Sequence, residues 1–240
     1  MRKIGIFGGT FDPVHKGHLG IASQVLALGI VDKIFLVPAL HPPHKNGAWA
    51  PYNDRVAMLR AALKGQDNLA VSLVEQDMHG PCYTLHTLEA VRNLYPDDRL
   101  YFVMGADSLL DFPHWYRFDE IAGQHDLIVL ARPGIADDFC RSAISGLPGN
   151  YTLVFQEHGL RVYENRMGRS VFWLVPEQGW PVSSTEIRAQ LAQGQTPHGL
   201  ARPVLEYIRA HQLYSNHQCH AAEQQERSKA GNDAQDIRHH

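Results

Sequence analysis

Six short, unbroken runs of aliphatic, β-branched and aromatic residues recur along this chain, and helical patterns fill the intervals between them. The runs are Lys3–Phe7, Lys33–Val37, Leu69–Val74, Leu100–Met104, Leu127–Leu130 and Val171–Val175. They lack the in-out alternation of a half-exposed strand, so each reads as a strand buried on both faces. Between them, Gly17–Leu28 places Leu19, Ala22, Val25, Leu26 and Leu28 along one helical face, and Asn53–Leu63 and Thr84–Tyr95 repeat that periodicity. Strand and helix in alternation predict an α/β protein with an open, doubly wound parallel sheet. In such a sheet ligands bind beyond the carboxyl ends of the strands, so chemistry is sought there.

The segment Gly134–Asn150 mixes glycine, proline and acidic residues without periodicity and reads as an irregular surface excursion. Ser183-Ser184-Thr185-Glu186 sets a hydroxyl three residues before a glutamate, a capping-box pattern that opens a helix over Thr185–Ala192. Arg202-Pro203 opens a last helix reaching about His211, which makes the C-terminal portion helical. From Ser215 to His240 Ile237 is the only large aliphatic side chain, too little apolar area to offset chain entropy. The expectation is one domain over residues 1–214 and a disordered tail over 215–240.

Composition narrows the partners. With 22 basic against 25 acidic side chains there is no bulk attraction to nucleic acid, so an anionic ligand needs a local site. Cys82, Cys140 and Cys219 are too few and too scattered for a disulfide framework or zinc module, which predicts a cytoplasmic address. Met1-Arg2-Lys3 leads directly into the first strand, and no apolar span of about 20 residues predicts membrane insertion.

The first strand runs into Gly8-Gly9-Thr10-Phe11-Asp12-Pro13-Val14-His15-Lys16-Gly17-His18 and then a helix. Glycines let a backbone approach a ligand, and helix-start N–H groups favour an anion such as phosphate. The spacing matches neither the P-loop nor the dinucleotide fingerprint. His15 and His18, three apart, share one face at the first helical turn, where two imidazoles can donate to phosphate oxygens. The competing readings are a zinc pair and two solvated histidines; zinc needs a third ligand, and no H-E-x-x-H occurs.

The string Gly8–His18 resembles the signature of the H-x-G-H nucleotidyltransferase superfamily, and Val182-Ser183-Ser184-Thr185-Glu186-Ile187-Arg188 resembles its second signature. Pro42-Pro43-His44-Lys45, Tyr83–Leu88, Gly105–Leu109 and Trp115-Tyr116 are similar, more narrowly, to the bacterial nicotinate-nucleotide adenylyltransferases of NAD synthesis. The likeness runs from about Lys3 to Tyr214. It implies a Rossmann-like nucleotidyltransferase fold and an enzyme that joins the adenylyl group of ATP to nicotinate mononucleotide, releasing pyrophosphate and deamido-NAD. The attacking phosphate oxygen is already anionic, so positioning and charge stabilisation suffice and no general base is needed.

By the same resemblance His15, His18 and Arg188 are catalytic. Gly8, Gly9, Thr10, Phe11, Lys45, Gly105, Asp107, Arg132, Ser183, Ser184 and Thr185 serve ATP, while Thr84, Trp115 and Tyr116 hold the nicotinate ring. Mg²⁺ arrives with the triphosphate, and no protein residue is assigned to it. The loop Leu40–Asn46 is expected to close over the ligands. Rival readings are other enzymes carrying the same signatures, such as pantetheine-phosphate adenylyltransferase or a cytidylyltransferase, a nicotinamide nucleotide as acceptor, a noncatalytic nucleotide sensor, and a metal hydrolase.

Overall fold

The computed structural model describes residues 1–41, 48–78, 80–131, 137–176, 179 and 181–215. Its frame is one eight-stranded sheet in the order β3-β2-β1-β4-β5-β8-β7-β6. Strands β1 (Lys3–Gly9), β2 (Lys33–Pro38), β3 (Leu69–Val71), β4 (Arg99–Gly105), β5 (Asp126–Leu130) and β8 (Ser170–Leu174) are parallel. Strands β6 (Thr152–Glu157) and β7 (Leu160–Glu164) form an antiparallel hairpin that closes the far edge. This confirms the doubly wound α/β expectation and adds the hairpin to it.

The side-chain period of two sorts each buried strand between two cores. Ile4, Ile6, Phe35, Val37, Leu100, Phe102, Leu127 and Val129 face one side. Phe7, Ile34, Leu36, Tyr101, Val103, Ile128 and Leu130 face the other. The first layer is covered by α3 (Thr84–Leu94), α4 (Ala106–Asp111), α5 (Phe118–Gln124) and α6 (Asp137–Ser145), through Leu85, Leu88, Leu109, Ile121 and Ile144. The second is covered by α1 (Lys16–Ala27), α2 (Tyr52–Leu63), α7 (Ser184–Ala192) and α8 (Arg202–Ala210), through Ala22, Val25, Met58, Leu59, Ile187, Val204 and Ile208. Because β1 lies between β2 and β4, the helices flanking it leave to opposite faces and a crevice opens at its carboxyl end.

Two expectations are corrected, and one element was unforeseen. The third strand stops at Val71, and Val74–Asp77 coils into a 3₁₀ turn that carries Glu75 inward to Leu40 and Thr87. Gly134–Asn150 is not wholly irregular: α6 forms within it and buries Ile144, with Leu147 buried just beyond. The hairpin had no strand-like signature because every residue of β6 is exposed. Its turn is nevertheless regular, since His158 and Gly159 both take positive φ (42° and 78°), as a two-residue primed turn requires. The expected tail, apart from Ser215, lies outside the described residues.

Candidate active site

The glycine turn ends β1 and enters α1 through a loop held by buried charge. Gly9 approaches closely because the Phe11 ring lies beneath it; a Cβ on Gly9 would stand 3.1 Å from that ring. Phe11 itself is 1% exposed and packs edge-on against Phe7 and His18, at ring separations of 5.7 and 5.0 Å. Its ring therefore supports the turn from inside, where an aromatic side chain gains more than in a polar cleft.

His15 is the N-cap of α1, and His18 lies over it. His18 Nδ1 accepts the His15 N–H at 3.3 Å, and the two rings stack 3.8 Å apart. With Nδ1 accepting, the neutral His18 ring carries its proton on Nε2. No acidic residue stands in the first turn of α1 to compete for its N–H groups.

The second signature comes to the same place from 170 residues further along the chain. Ser183 caps α7 by accepting the Glu186 N–H at 3.2 Å. Ser184 Oγ donates to the Pro13 carbonyl at 3.1 Å, and Arg188 donates to the Asp12 carbonyl at 2.7 Å and to Thr185 Oγ1 at 3.2 Å. Only neutral acceptors meet the Arg188 guanidinium among the described residues, and it lies 5.5 Å from the Trp49 ring centroid. A guanidinium has five N–H donors, so the remaining ones can serve an anion.

On the other side of the turn a cavity of about 510 Å³ is lined by Gly8, Gly9 and Thr10 together with Thr84, Trp115 and Tyr116. Thr84 opens α3, whose first turn also has no acidic residue. Tyr116 is 44% exposed and stacks on Tyr83 at 4.6 Å, with His86 edge-on to both; Trp115 packs edge-on to Phe112. Gly105 ends β4 and is the N-cap of α4, and Asp107 is exposed in that helix's first turn rather than capping it. Lys45 and Arg132 lie outside the described residues, as does most of the loop Leu40–Asn46.

Sequence reasoning missed the buried polar groups behind this surface. The Asp12 carboxylate, 3% exposed, accepts the Trp49 N–H at 2.6 Å, the Ala50 N–H at 3.1 Å and the Tyr214 hydroxyl at 2.6 Å. Arg55, 1% exposed, donates to the Thr10 carbonyl at 2.8 Å and the Ala50 carbonyl at 3.2 Å. Burial pulls the Arg55 pKa down, and the nearby Asp12 charge opposes it. Glu75 borders the cavity and accepts the Leu40 N–H at 3.0 Å and the Thr87 hydroxyl at 2.7 Å; burial pushes its pKa up and these donors pull it back. Arg55 was visible as a charge on the same face as Met58, Leu59 and Ala62, a position where a helix normally carries an apolar residue. Nothing in the local sequence distinguishes Glu75.

Residues 6–190 match the cytidylyltransferase-like family. The probable nicotinate-nucleotide adenylyltransferase of Solibacter usitatus is 36% identical over 215 residues, covering 89% of this chain and all of that one. The chain belongs to this family of nucleotidyltransferases. The nicotinate-nucleotide adenylyltransferase of Bacillus subtilis is 42% identical over 135 residues, which cover 56% of this chain and 71% of that protein. In fold, the chain is similar to the Plasmodium falciparum nicotinic acid mononucleotide adenylyltransferase complexed with NaAD, with a TM-score of 0.69 at 18% identity over 89% of this chain and 98% of that one.

No helix among the described residues is long and apolar enough to cross a membrane. No group of three or more metal-ligating side chains occurs among them either.

Proposed function

We propose that this enzyme transfers the adenylyl group of ATP to nicotinate mononucleotide, releasing pyrophosphate and forming deamido-NAD. One observation carries the reading: Arg188 and Ser184 of α7 are bonded to the carbonyls of Asp12 and Pro13, so the second signature meets the loop that continues the glycine turn, and Gly8, Gly9 and Thr10 of that turn line the cavity with Thr84 and Trp115. The triphosphate lies along Gly8, Gly9 and Thr10 and the start of α1, with His15, His18, Arg188, Ser183, Ser184 and Thr185 around its β and γ phosphates. Gly105 and Asp107 border the ribose, and Lys45 and Arg132 are assigned to ATP as well. The nicotinate ring sits between Trp115 and Tyr116, its carboxylate toward the unfilled N–H groups at Thr84.

The acceptor's phosphate oxygen attacks the α-phosphorus while the bond from that phosphorus to the pyrophosphate oxygen breaks in line. No proton has to be removed from the nucleophile. Charge grows on the departing pyrophosphate, where the His18 Nε2–H and the Arg188 guanidinium are placed to meet it. Mg²⁺ belongs to the substrate here: it comes with the triphosphate and screens its charge, consistent with a donor set of imidazole, guanidinium and hydroxyl that offers no carboxylate cage. A cytoplasmic location suits substrates of this kind.

The test is pyrophosphate release from ATP and Mg²⁺ with nicotinate mononucleotide, then with the nicotinamide nucleotide and with phosphopantetheine. Release with the nicotinate nucleotide, and much less with the others, is the expected result. Silence with both pyridine nucleotides ends the reading, and nucleotide binding without any release points to a sensor instead.

A further inference from the structure

The most remote contact in the site joins Asp12 to Tyr214, 202 residues apart, through a hydroxyl-carboxylate bond of 2.6 Å. Both partners are almost wholly enclosed, at 3% and 1% exposure. The same carboxylate holds the Trp49 and Ala50 amides, and the same residue's carbonyl takes the Arg188 guanidinium. Asp12 thus ties three chain segments to one turn, and Tyr214 is the one that arrives from beyond the last helix. Backbone conformation on both sides shows how firmly the contact is set. Phe11, beside Asp12, has φ of 50°, and Gln212 and Tyr214 have φ of 53° and 60°. Non-glycine residues in the left-handed region are strained, and persist where surrounding contacts over-determine them. Here the turn after α8 is wound to deliver one hydroxyl to one carboxylate.

We infer that Tyr214 is a positioning residue for ATP, acting through Asp12 to hold the carbonyl that orients Arg188. This rests on the proposed role of Arg188 at the triphosphate. The hydroxyl fixes the plane of the Asp12 carboxylate, the carboxylate fixes the turn, and the turn's carbonyl aims the guanidinium. A phenyl ring in the same place would fill the same core volume and leave the Asp12 carboxylate held by the two amides alone. The C-terminal end of the domain is in this way part of the nucleotide site without touching the nucleotide.

A double-mutant cycle separates this from a general scaffold role. Binding of a non-hydrolysable ATP analogue with Mg²⁺ is measured by calorimetry for the intact chain, Tyr214→Phe, Arg188→Ala and the double variant, with circular dichroism confirming that each is folded. Tyr214→Phe is expected to weaken binding roughly 5- to 10-fold, the scale of one ordinary hydrogen bond felt through a positioned group. In the Arg188→Ala background the same change is expected to alter affinity less than about twofold, because the group it orients is gone. The pyrophosphate assay should show a raised KM for ATP and an unchanged KM for the acceptor. Equal weakening in both backgrounds overturns the inference, as does unchanged affinity in Tyr214→Phe. Failure of the intact chain to bind the analogue would instead remove the nucleotide reading itself. Should Tyr214→Phe not fold, Tyr214→Leu, which also lacks a donor, gives the same comparison, and full affinity in that folded variant overturns the inference equally.

Discussion

The two poles of the parallel sheet use their charged and polar side chains in opposite ways. At the amino ends charged side chains pair with one another or with backbone N–H groups. Arg2 grips Asp98 at 2.7 Å, Arg99 bonds Asp126 at 2.6 Å, and Asp126 also accepts the Ser170 N–H at 2.8 Å. The Lys3 N–H donates to Asp32 at 2.7 Å, and Arg92 bonds His125 Nδ1 at 3.2 Å. At the carboxyl ends the acids are turned inward to hold the loops, as with Asp12 and Glu75, while the Arg188 guanidinium meets only neutral acceptors among the described residues. Satisfied charge holds the structure, and guanidinium donors beyond those two bonds are what a phosphate can use. The contrast favours the carboxyl pole as the reactive one.

The sharpest way to break the contrast is to remove His18. His18→Ala should lower kcat by about 10²- to 10³-fold, the scale of one donor aimed at developing charge, and change KM for ATP much less. Thermal unfolding should show a far smaller effect. Equal losses in binding and turnover would make His18 a ground-state contact and weaken the idea that this pole is reserved for the transition state.

At the amino pole the largest expected effect is on stability, and it comes from pH. His125 is 1% exposed, and burial, with the Arg92 charge adding to it, lowers its pKa to about 4. An unfolded histidine titrates near 6.5, so below that pH the unfolded chain binds a proton the folded one refuses. The stability associated with neutral His125 is complete above about pH 6.5 and is lost as pH falls toward 4, roughly 2 kcal/mol by pH 5. Urea unfolding of the intact chain and of His125→Gln at pH 7.5 and 5 checks it: the variant should lose less on acidification, while kcat/KM at pH 7.5 stays the same. Identical pH slopes would remove His125 from the account.

The legibility of the two poles in the sequence was unequal. Strands of the parallel half declare themselves because burial on both faces demands unbroken apolar runs, and the glycine turn and Ser183–Arg188 declare themselves because their chemistry is local. The β6–β7 hairpin gave no such signal, since exposed Leu153, Val154 and Phe155 sit beside Thr152, Gln156 and Glu157 without a buried face to order them. Helix α6 was obscured by the glycines and prolines around it, although Phe139, Ala143, Ile144 and Leu147 are spaced as one face. Asp12, Arg55, Glu75 and Tyr214 act across 12 to 202 residues, and a bond of that separation leaves no periodicity to read.

Gly199 is a further residue of this hidden kind, and it links the two signatures sterically. Its carbonyl accepts the Lys16 N–H at 2.8 Å at the start of α1. A Cβ there would fall 2.3 Å from Val182 Cγ1, directly before the Ser183 cap. Val182 is β-branched and cannot swing away cheaply, so Gly199→Ala must shift α7 against the histidine turn. A loss of about tenfold in kcat/KM for ATP is expected, with about 1–3 kcal/mol of stability, which steady-state kinetics and denaturant unfolding measure together. Unaltered kinetics would mean that the register between the two signatures is looser than the packing suggests.

The smallest effect belongs to the amino pole's outermost pair, and its smallness is the informative part. Arg2 is 63% exposed at its side chain, and Asp98 accepts both its guanidinium and its backbone N–H. These bonds hold the Asp98 pKa below the usual carboxylate range. Water competes for so exposed a guanidinium, and salt screens it, so the pair differs from Arg99–Asp126, whose carboxylate is wholly enclosed. Asp98→Asn keeps an oxygen for the Arg2 N–H and should leave kcat/KM and the unfolding midpoint within experimental error, at low and at high ionic strength. If that substitution destabilised the chain as much as acidification to pH 5 does, the amino pole would have to be a single cooperative charge network. Its bonds, running from Arg2 through Asp98 and from Arg99 through Asp126, could then no longer be treated as independent pairs with the buried ones dominant.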